Sequence, residues 1–157
     1  MAVEHSTLTT TDLHEPKGVA AASADQLYIA NGSASGAWTA ADNNIYLFGT
    51  INDVSTAASF WLPSPCTGVI TKVHTIINGA IATADAVLTF EIGGTLITDG
   101  ASNNLTITQS GSAAGDVDTM TPTGARTLAI GSKLEMITAG ASTNTIIAQI
   151  VFTVTPT

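Results

Sequence analysis

The sequence predicts an all-β protein: an antiparallel β-sandwich or jelly roll preceded by an extended N-terminal arm. The clearest strand pattern lies in residues 86–92, where every second side chain, from Ala86 to Ile92, is apolar. Side chains alternate between two faces in a strand, so this segment has one buried face. Residues 69–77 are mostly β-branched, and turn-forming residues separate the two segments. Similar segments recur with no helical period between them, which indicates antiparallel connections and two packed sheets.

Residues 1–42 form the predicted arm, because their composition differs from that of the sandwich, residues 43–157. They are rich in small and hydroxyl-bearing residues and hold too few large apolar side chains to build a core. Gln26–Ala30 is expected to form one short strand, followed by a flexible turn over residues 31–37 and an isolated Trp38. Fully extended, about 40 residues reach at most about 130–140 Å, so the arm can lie along several neighbouring molecules.

From residue 43 onward, about seven to nine strands follow one another at roughly the 8–12-residue spacing of a β-sandwich. Pro63 and Pro65 end one strand, because proline removes a backbone donor and fixes φ. Gly93-Gly94 forms a tight turn between two others. The segments with strand character are 45–51, 58–62, 69–77, 86–92, 105–109, 116–121, 133–138 and 146–154, with two short pieces at 95–98 and 128–130.

The charge content argues against several classes of partner. Charged residues make up 10% of the chain, against about 25% in an average soluble domain, and the net charge is −8. The four basic residues are scattered, so the sequence predicts no nucleic-acid binding and no binding to an anionic membrane. A neutral surface costs little to remove from water, which favours large protein contacts. The first residues carry an acid and no apolar run, so we expect no secretory signal and synthesis in a cytoplasm.

No residue pattern indicates catalysis, a cofactor or a metal site. Cys66 is interpreted as a small apolar residue, because no local His and Asn or Asp signature accompanies it. Asp116 and Asp118 share a strand face and can bind Ca²⁺ or act as paired acids if another strand adds an oxygen; a solvated loop edge is the favoured interpretation. Trp38 and Trp61 can each stack a sugar ring, but anchoring in a core or an interface is favoured.

Sheet edges and apolar outward positions favour self-association. A sandwich leaves edge strands with unpaired backbone groups, and few charges protect them here. The last predicted strand is apolar on both faces, since Ile147 and Val151 lie on its outer side. His74 alternates with Lys72 on its strand, which places it on a polar face or at a subunit contact, and a metal role is disfavoured without a second ligand nearby in sequence. We therefore expect a closed symmetric oligomer whose interface includes His74, Ile147 and Val151.

Seven short runs of the sequence carry a resemblance to a known family. They are DLHEPKGV at 12–19, ADQLYIANG at 24–32, GAW at 36–38, GVI at 68–70, AD at 84–85, VLT at 87–89 and GSK at 131–133. The first three runs are similar to the leader of structural proteins from tailed bacteriophages, and the other four resemble jelly-roll decoration (cement) proteins, which sit as trimers on capsids. The resemblance covers nearly the whole chain. Gly131-Ser132 departs from the Gly-Asp of that pattern, which puts the turn assignment in question.

The resemblance implies a structural, non-enzymatic virion protein on the outer surface of a capsid. Such a homotrimer clamps neighbouring subunits of the major capsid protein and stabilises the head against internal DNA pressure. Within the arm, residues 14–18 would be the segment held against the capsid. Pro16 would stiffen this segment, and Lys17 would approach a carboxylate on the shell. Trp38 would lock the arm to the body or to a neighbour. The residues assigned to capsid binding are Leu13, His14, Glu15, Pro16, Lys17, Gly18, Tyr28 and Trp38.

Two other functions are alternatives to capsid decoration. The first is a head-fibre or receptor-binding jelly roll that holds host surface glycans with its exposed loops, including residues 110–115. A glycan signal that Trp61→Ala or Trp38→Ala abolishes would favour it. The second is an enzyme, which would need a metal or a carboxylate pair that the sequence does not display.

Overall fold

The computed structural model describes residue 23 and residues 26–30, 36–100 and 102–157. The chain divides into two compact units, Met1–Asn43 and Asn44–Thr157. Every regular element in the described part is a β-strand, which confirms the all-β prediction, and no helix there could cross a membrane. The strands are β1 (Gln26–Ala30), β2 (Gly36–Ala40), β3 (Ile45–Ile51), β4 (Ala58–Pro63), β5 (Gly68–Ile77), β6 (Ala86–Ile92), β7 (Thr95–Leu96), β8 (Leu105–Ile107), β9 (Val117–Met120), β10 (Thr127–Leu128), β11 (Lys133–Thr138) and β12 (Ala148–Pro156).

The N-terminal unit contains an antiparallel hairpin of β1 and β2, in which Tyr28 pairs with Trp38. Their rings meet edge to face with centroids 5.3 Å apart. The expectation of a flexible turn was therefore wrong at Gly36 and Ala37, which begin β2, and Trp38 is not isolated. Because β2 runs back along β1, residues 26–40 add little to the reach expected of a fully extended arm.

The second unit is a sandwich of two antiparallel sheets. The first sheet has the order β3-β12-β5, with β9 and β10 both pairing the far side of β5. The second has the order β4-β11-β6, with β7 and β8 both pairing the far side of β6. The sandwich can be viewed as one long hairpin whose strands pair in levels from the inside outward. The innermost level is β6 with β7 and β8, and the next is β5 with β9 and β10. These are followed by β4 with β11 and, outermost, by β3 with β12. This nested, alternating order is that of a jelly roll.

The core lies between the two sheets and is built from the inward-facing residues of each strand. Phe90 of the second sheet and Phe152 of the first meet edge to face at its centre, with ring centroids 5.3 Å apart and planes at 87°. Val54, Ile81 and Ile97 enter from connecting segments and are also buried. The period-two alternation of β6 and β12 thus places one apolar face of each strand against the other sheet.

A β-bulge in β5 changes which of its residues face the core. β12 pairs Thr153 with Lys72 and Val154 with Ile70, so the residue between them has no partner in the ladder. That residue, Thr71, instead donates its hydroxyl to the backbone carbonyl of Thr153 at 3.2 Å. As a result Ile70 and Val73 are both buried, although strict alternation would put them on opposite faces.

Two buried threonines of the sandwich differ in their hydrogen bonding. Thr75 and Thr138 are each 1% exposed. The Thr138 hydroxyl donates to the Val54 carbonyl at 3.0 Å and accepts the Gly140 N–H at 3.3 Å. The Thr75 hydroxyl has no hydrogen-bond partner among the described residues. An unsatisfied buried hydroxyl opposes folding, whereas a satisfied one does not.

Thr75→Val is therefore expected to raise the free energy of unfolding by about 1 kcal/mol, because it removes a buried polar group that makes no hydrogen bond. Thr138→Val, the matched control, is expected to lower it by about 1–2 kcal/mol, because it leaves the Val54 carbonyl without that donor. Urea unfolding of the full chain measures both changes. A destabilised Thr75→Val variant would contradict the assignment of Thr75 as unsatisfied.

Candidate functional site

The candidate site is the outer face of the first sheet, here called the first outer face. It consists of the side chains that β3, β12, β5 and β9 direct away from the core. Ile147, just before β12, extends it at one end. Its members are Tyr46, Phe48, Thr50, Lys72, His74, Ile76, Val117, Thr119, Ile147, Gln149, Val151 and Thr153.

Strand register fixes which side chains of the first outer face are neighbours. Val151 lies between Phe48 on β3 and His74 on β5, and Thr119 on β9 follows next to His74. The His74 Nδ1 atom lies 2.9 Å from the Thr119 Oγ1 atom. Directly opposite residues in an antiparallel pair have closely spaced Cβ atoms, so these side chains form one continuous row across the sheet.

The first outer face exposes several large apolar side chains and no carboxylate among its named members. Phe48 is 69% exposed, and Tyr46, Ile76 and Val117 are also large apolar residues exposed on this face. Lys72 is its one charged member among the described residues. In a chain with net charge −8, this face therefore adds no carboxylate repulsion to a contact with another copy. An exposed apolar patch of this kind is typical of a protein interaction site.

A shallow groove of about 310 Å³ lies at one end of the first outer face. Its walls are largely apolar, and two hydrogen bonds with Asn78 hold Ile147 in position. The Ile147 N–H donates to the Asn78 side chain at 2.9 Å, and the Asn78 N–H donates to the Ile147 carbonyl at 3.1 Å. The groove is lined by Ile76, Ile77, Asn78, Gly115, Ile147 and Gln149.

The edge strand β3 borders the first outer face. Its sequence from Ile45 to Ile51 contains no charged residue and no proline. Within the sandwich unit, β3 pairs with β12 on one side only. An uncharged edge strand offers unpaired backbone groups to another chain, so the edge and the adjoining face can be covered together.

The three residues predicted to form an oligomer interface lie together in the structure. His74, Ile147 and Val151 all belong to the first outer face. Sequence reasoning missed Phe48, Ile76 and Val117 on the same face. The alternation in β3 was visible, but it does not tell which of the two faces of a strand points to solvent.

The acidic pair Asp116 and Asp118 lies beside this face. The Asp116 carboxylate accepts the Ala113 N–H at 2.7 Å, so it stabilises the turn formed by residues 113–116. Burial raises the pKa of Asp118 above its usual value, and the charge of Asp116 adds to the shift. In the described ranges of the chain, no three His, Cys, Asp or Glu side chains converge to hold a metal.

The residues predicted to bind a capsid fall into two groups. Residues 13–18 lie outside the described residues. Tyr28 and Trp38 are the paired aromatics of the β1–β2 hairpin. The other face of β1 exposes Leu27 and Ile29, two large apolar side chains that sequence reasoning did not assign to binding.

No family model matches this chain, and no curated protein shows significant sequence similarity to it.

Proposed function

We propose that this chain is a structural capsid decoration protein of a tailed bacteriophage. It forms a homotrimer through the first outer face, binds the outside of the capsid and clamps neighbouring subunits of the major capsid protein. It acts without catalysis or a cofactor, is made in the host cytoplasm and resides on the outer surface of the virion. The resemblance of the leader and body to such proteins motivates the proposal, and the jelly-roll order of the sandwich is compatible with it.

The first outer face is the observation that supports assembly most directly. It presents a row of Phe48, Val151 and His74 that is apolar enough to be buried and contains no carboxylate to desolvate. A heterologous contact, in which this face meets a different surface of the next copy, closes into a ring when the rotation permits it.

The separate N-terminal unit supports attachment to a lattice. Its hairpin exposes Leu27 and Ile29 on one face of β1, so it offers apolar contacts to another protein. A trimer carries three such units. Binding by the first unit raises the effective concentration of the other two, so modest contacts sum to a high overall affinity.

Phe48→Glu is expected to dissociate the trimer by weakening association about a hundredfold, roughly 3 kcal/mol, because a carboxylate would be buried in an apolar contact. Sedimentation velocity should give three times the 15.9 kDa chain mass for the wild type and a single chain mass for the variant. Ile130→Glu is the matched control, since Ile130 is a similarly exposed apolar residue at a turn away from this face. A monomeric wild type, or equal dissociation by both variants, would contradict the interface.

The same proteins test binding to the capsid. The wild type should sediment with particles stripped of this chain, whereas Phe48→Glu should bind weakly because it has lost multivalency. A chain lacking residues 1–42 should remain trimeric, since the sandwich contains the core, but should not bind. Undiminished binding by that shortened chain would overturn the role of the arm.

A further inference from the structure

The outer face of the second sheet carries a cluster of polar and charged side chains around one exposed aromatic ring. We call it the Trp61 cluster; it consists of Ser59, Trp61, Glu91, Lys133 and Glu135. Glu135 on β11 lies between Trp61 on β4 and Glu91 on β6 in the strand register. Few residues of this chain are charged, 10% in all, yet Lys133 and Glu135 lie next to this tryptophan and Glu91 lies one strand further on.

The Trp61 ring is exposed and yet held in position. It is 55% exposed. The Lys133 ammonium lies 5.8 Å from the ring centroid, and Trp61 lies directly opposite Glu135 in the strand pair and helps to lower the pKa of that carboxyl group. A fixed aromatic face loses little conformational freedom when a ligand stacks on it, so binding to it costs less. The exposed aromatics of the first outer face, by contrast, have no carboxylate in their rows.

The two carboxylates of the cluster are in different environments. The side chain of Glu135 is only 14% exposed, and its Oε2 atom lies 3.6 Å from the Lys133 ammonium. Hydrogen bonds from Trp61 and Ser59, with the nearby Lys133 charge, lower the pKa of Glu135, so it stays ionised at neutral pH. Glu91 faces Glu135 directly across the strand pair. Like charges in that position oppose folding, so the sandwich gains no stability from their juxtaposition.

This combination matches the chemistry of a sugar. A pyranose ring has an apolar C–H face that stacks on an aromatic ring, and hydroxyl groups that both donate and accept hydrogen bonds. Carboxylates accept from hydroxyls in strong charge-assisted bonds, and an ammonium donates to them. The two carboxylates and one ammonium sum to a negative charge, so the cluster repels a sugar that carries its own carboxylate.

We propose that the Trp61 cluster is a binding site for a neutral hexose, whose ring stacks on Trp61 while its hydroxyls bond to Glu91, Glu135 and Lys133. The site lies on the opposite sheet from the first outer face, so it shares no residue with that surface. It also differs from a loop site at residues 110–115. Glu91 is near the end of β6, whereas that loop follows Ile107, which pairs with Ala86 at the start of β6.

The test is titration of the full ¹⁵N-labelled chain with methyl glycosides of glucose, galactose, mannose and N-acetylglucosamine, with galacturonic acid as the acidic comparison. A saturable shift of the Trp61 indole N–H signal is expected with at least one neutral glycoside. Galacturonic acid should bind at least about tenfold more weakly than methyl galactoside, because of carboxylate repulsion.

Three variants separate binding from folding, with circular dichroism to verify the fold of each. Trp61→Ala should abolish saturable binding, followed here by calorimetry because the reporting signal is lost. Glu135→Gln keeps an acceptor for the indole N–H and should weaken binding by about tenfold. Thr121→Ala, an exposed position just after β9 that belongs to neither surface, should leave binding unchanged. No saturable shift with any neutral glycoside, equal binding by Trp61→Ala, or tighter binding of galacturonic acid would overturn the proposal, while leaving trimer formation untouched.

Discussion

Replacing Phe152 with alanine is expected to lower the free energy of unfolding by about 3–5 kcal/mol. Phe152 is fully buried in β12, the central strand that pairs with both β3 and β5. Its ring meets the Phe90 ring of the opposite sheet edge to face. Removal of the ring loses both the transfer free energy and that aromatic contact, and leaves a cavity between two sheets whose strands cannot easily close it.

Phe48→Ala provides the control, because it makes the same substitution one strand away at a position that is 69% exposed. It should change the free energy of unfolding by no more than about 0.5 kcal/mol. Both variants are measured by guanidinium unfolding at a concentration at which sedimentation shows a monomer, so that association does not contribute. Comparable losses for the two variants would mean that the sandwich core is not where the structure places it.

Gly140→Ala is expected to destabilise the sandwich by about 2–4 kcal/mol. Gly140 follows β11 and has a φ of +71°, a conformation that costs an alanine about 1 kcal/mol. An added Cβ would also collide with the backbone nitrogen of Ala57 and lie 3.0 Å from its Cα. Because backbone atoms cannot rotate away as a side chain can, the neighbouring loop must move, which adds about 1–3 kcal/mol.

Gly111→Ala is the control that measures the conformational part of that cost, so the difference between the two variants gives the steric part. Gly111 has a φ of +86°, but a Cβ there would meet nothing within 4 Å. Its substitution should therefore cost only the conformational strain, about 1 kcal/mol. Thermal unfolding of the two variants side by side measures the difference. Equal losses would show that the close approach of Gly140 to Ala57 does not limit this loop.

Part of each candidate surface was predictable from the sequence. Ile147 and Val151 were identified because the last predicted strand is apolar on both of its faces. His74 was identified because it alternates with Lys72 on its strand. Phe48 was placed in a strand but not on an interface, because its exposure depends on which face of β3 the second sheet covers. Trp61 was identified as a possible stacking residue. Its relation to Glu91 and Glu135 depends on the register of three strands that are distant in the chain.

The strands of the sandwich, their alternating faces and the scarcity of charge could be predicted from the sequence. These are local properties, because a two-residue period depends only on the backbone of the segment concerned. The pairing of Tyr28 with Trp38, the bulge at Thr71 and the exposure of Phe48 became apparent only from the fold. Each of these depends on hydrogen bonds or contacts between different strands. The alternation in any one strand holds no information about which partner strand it meets or in which register.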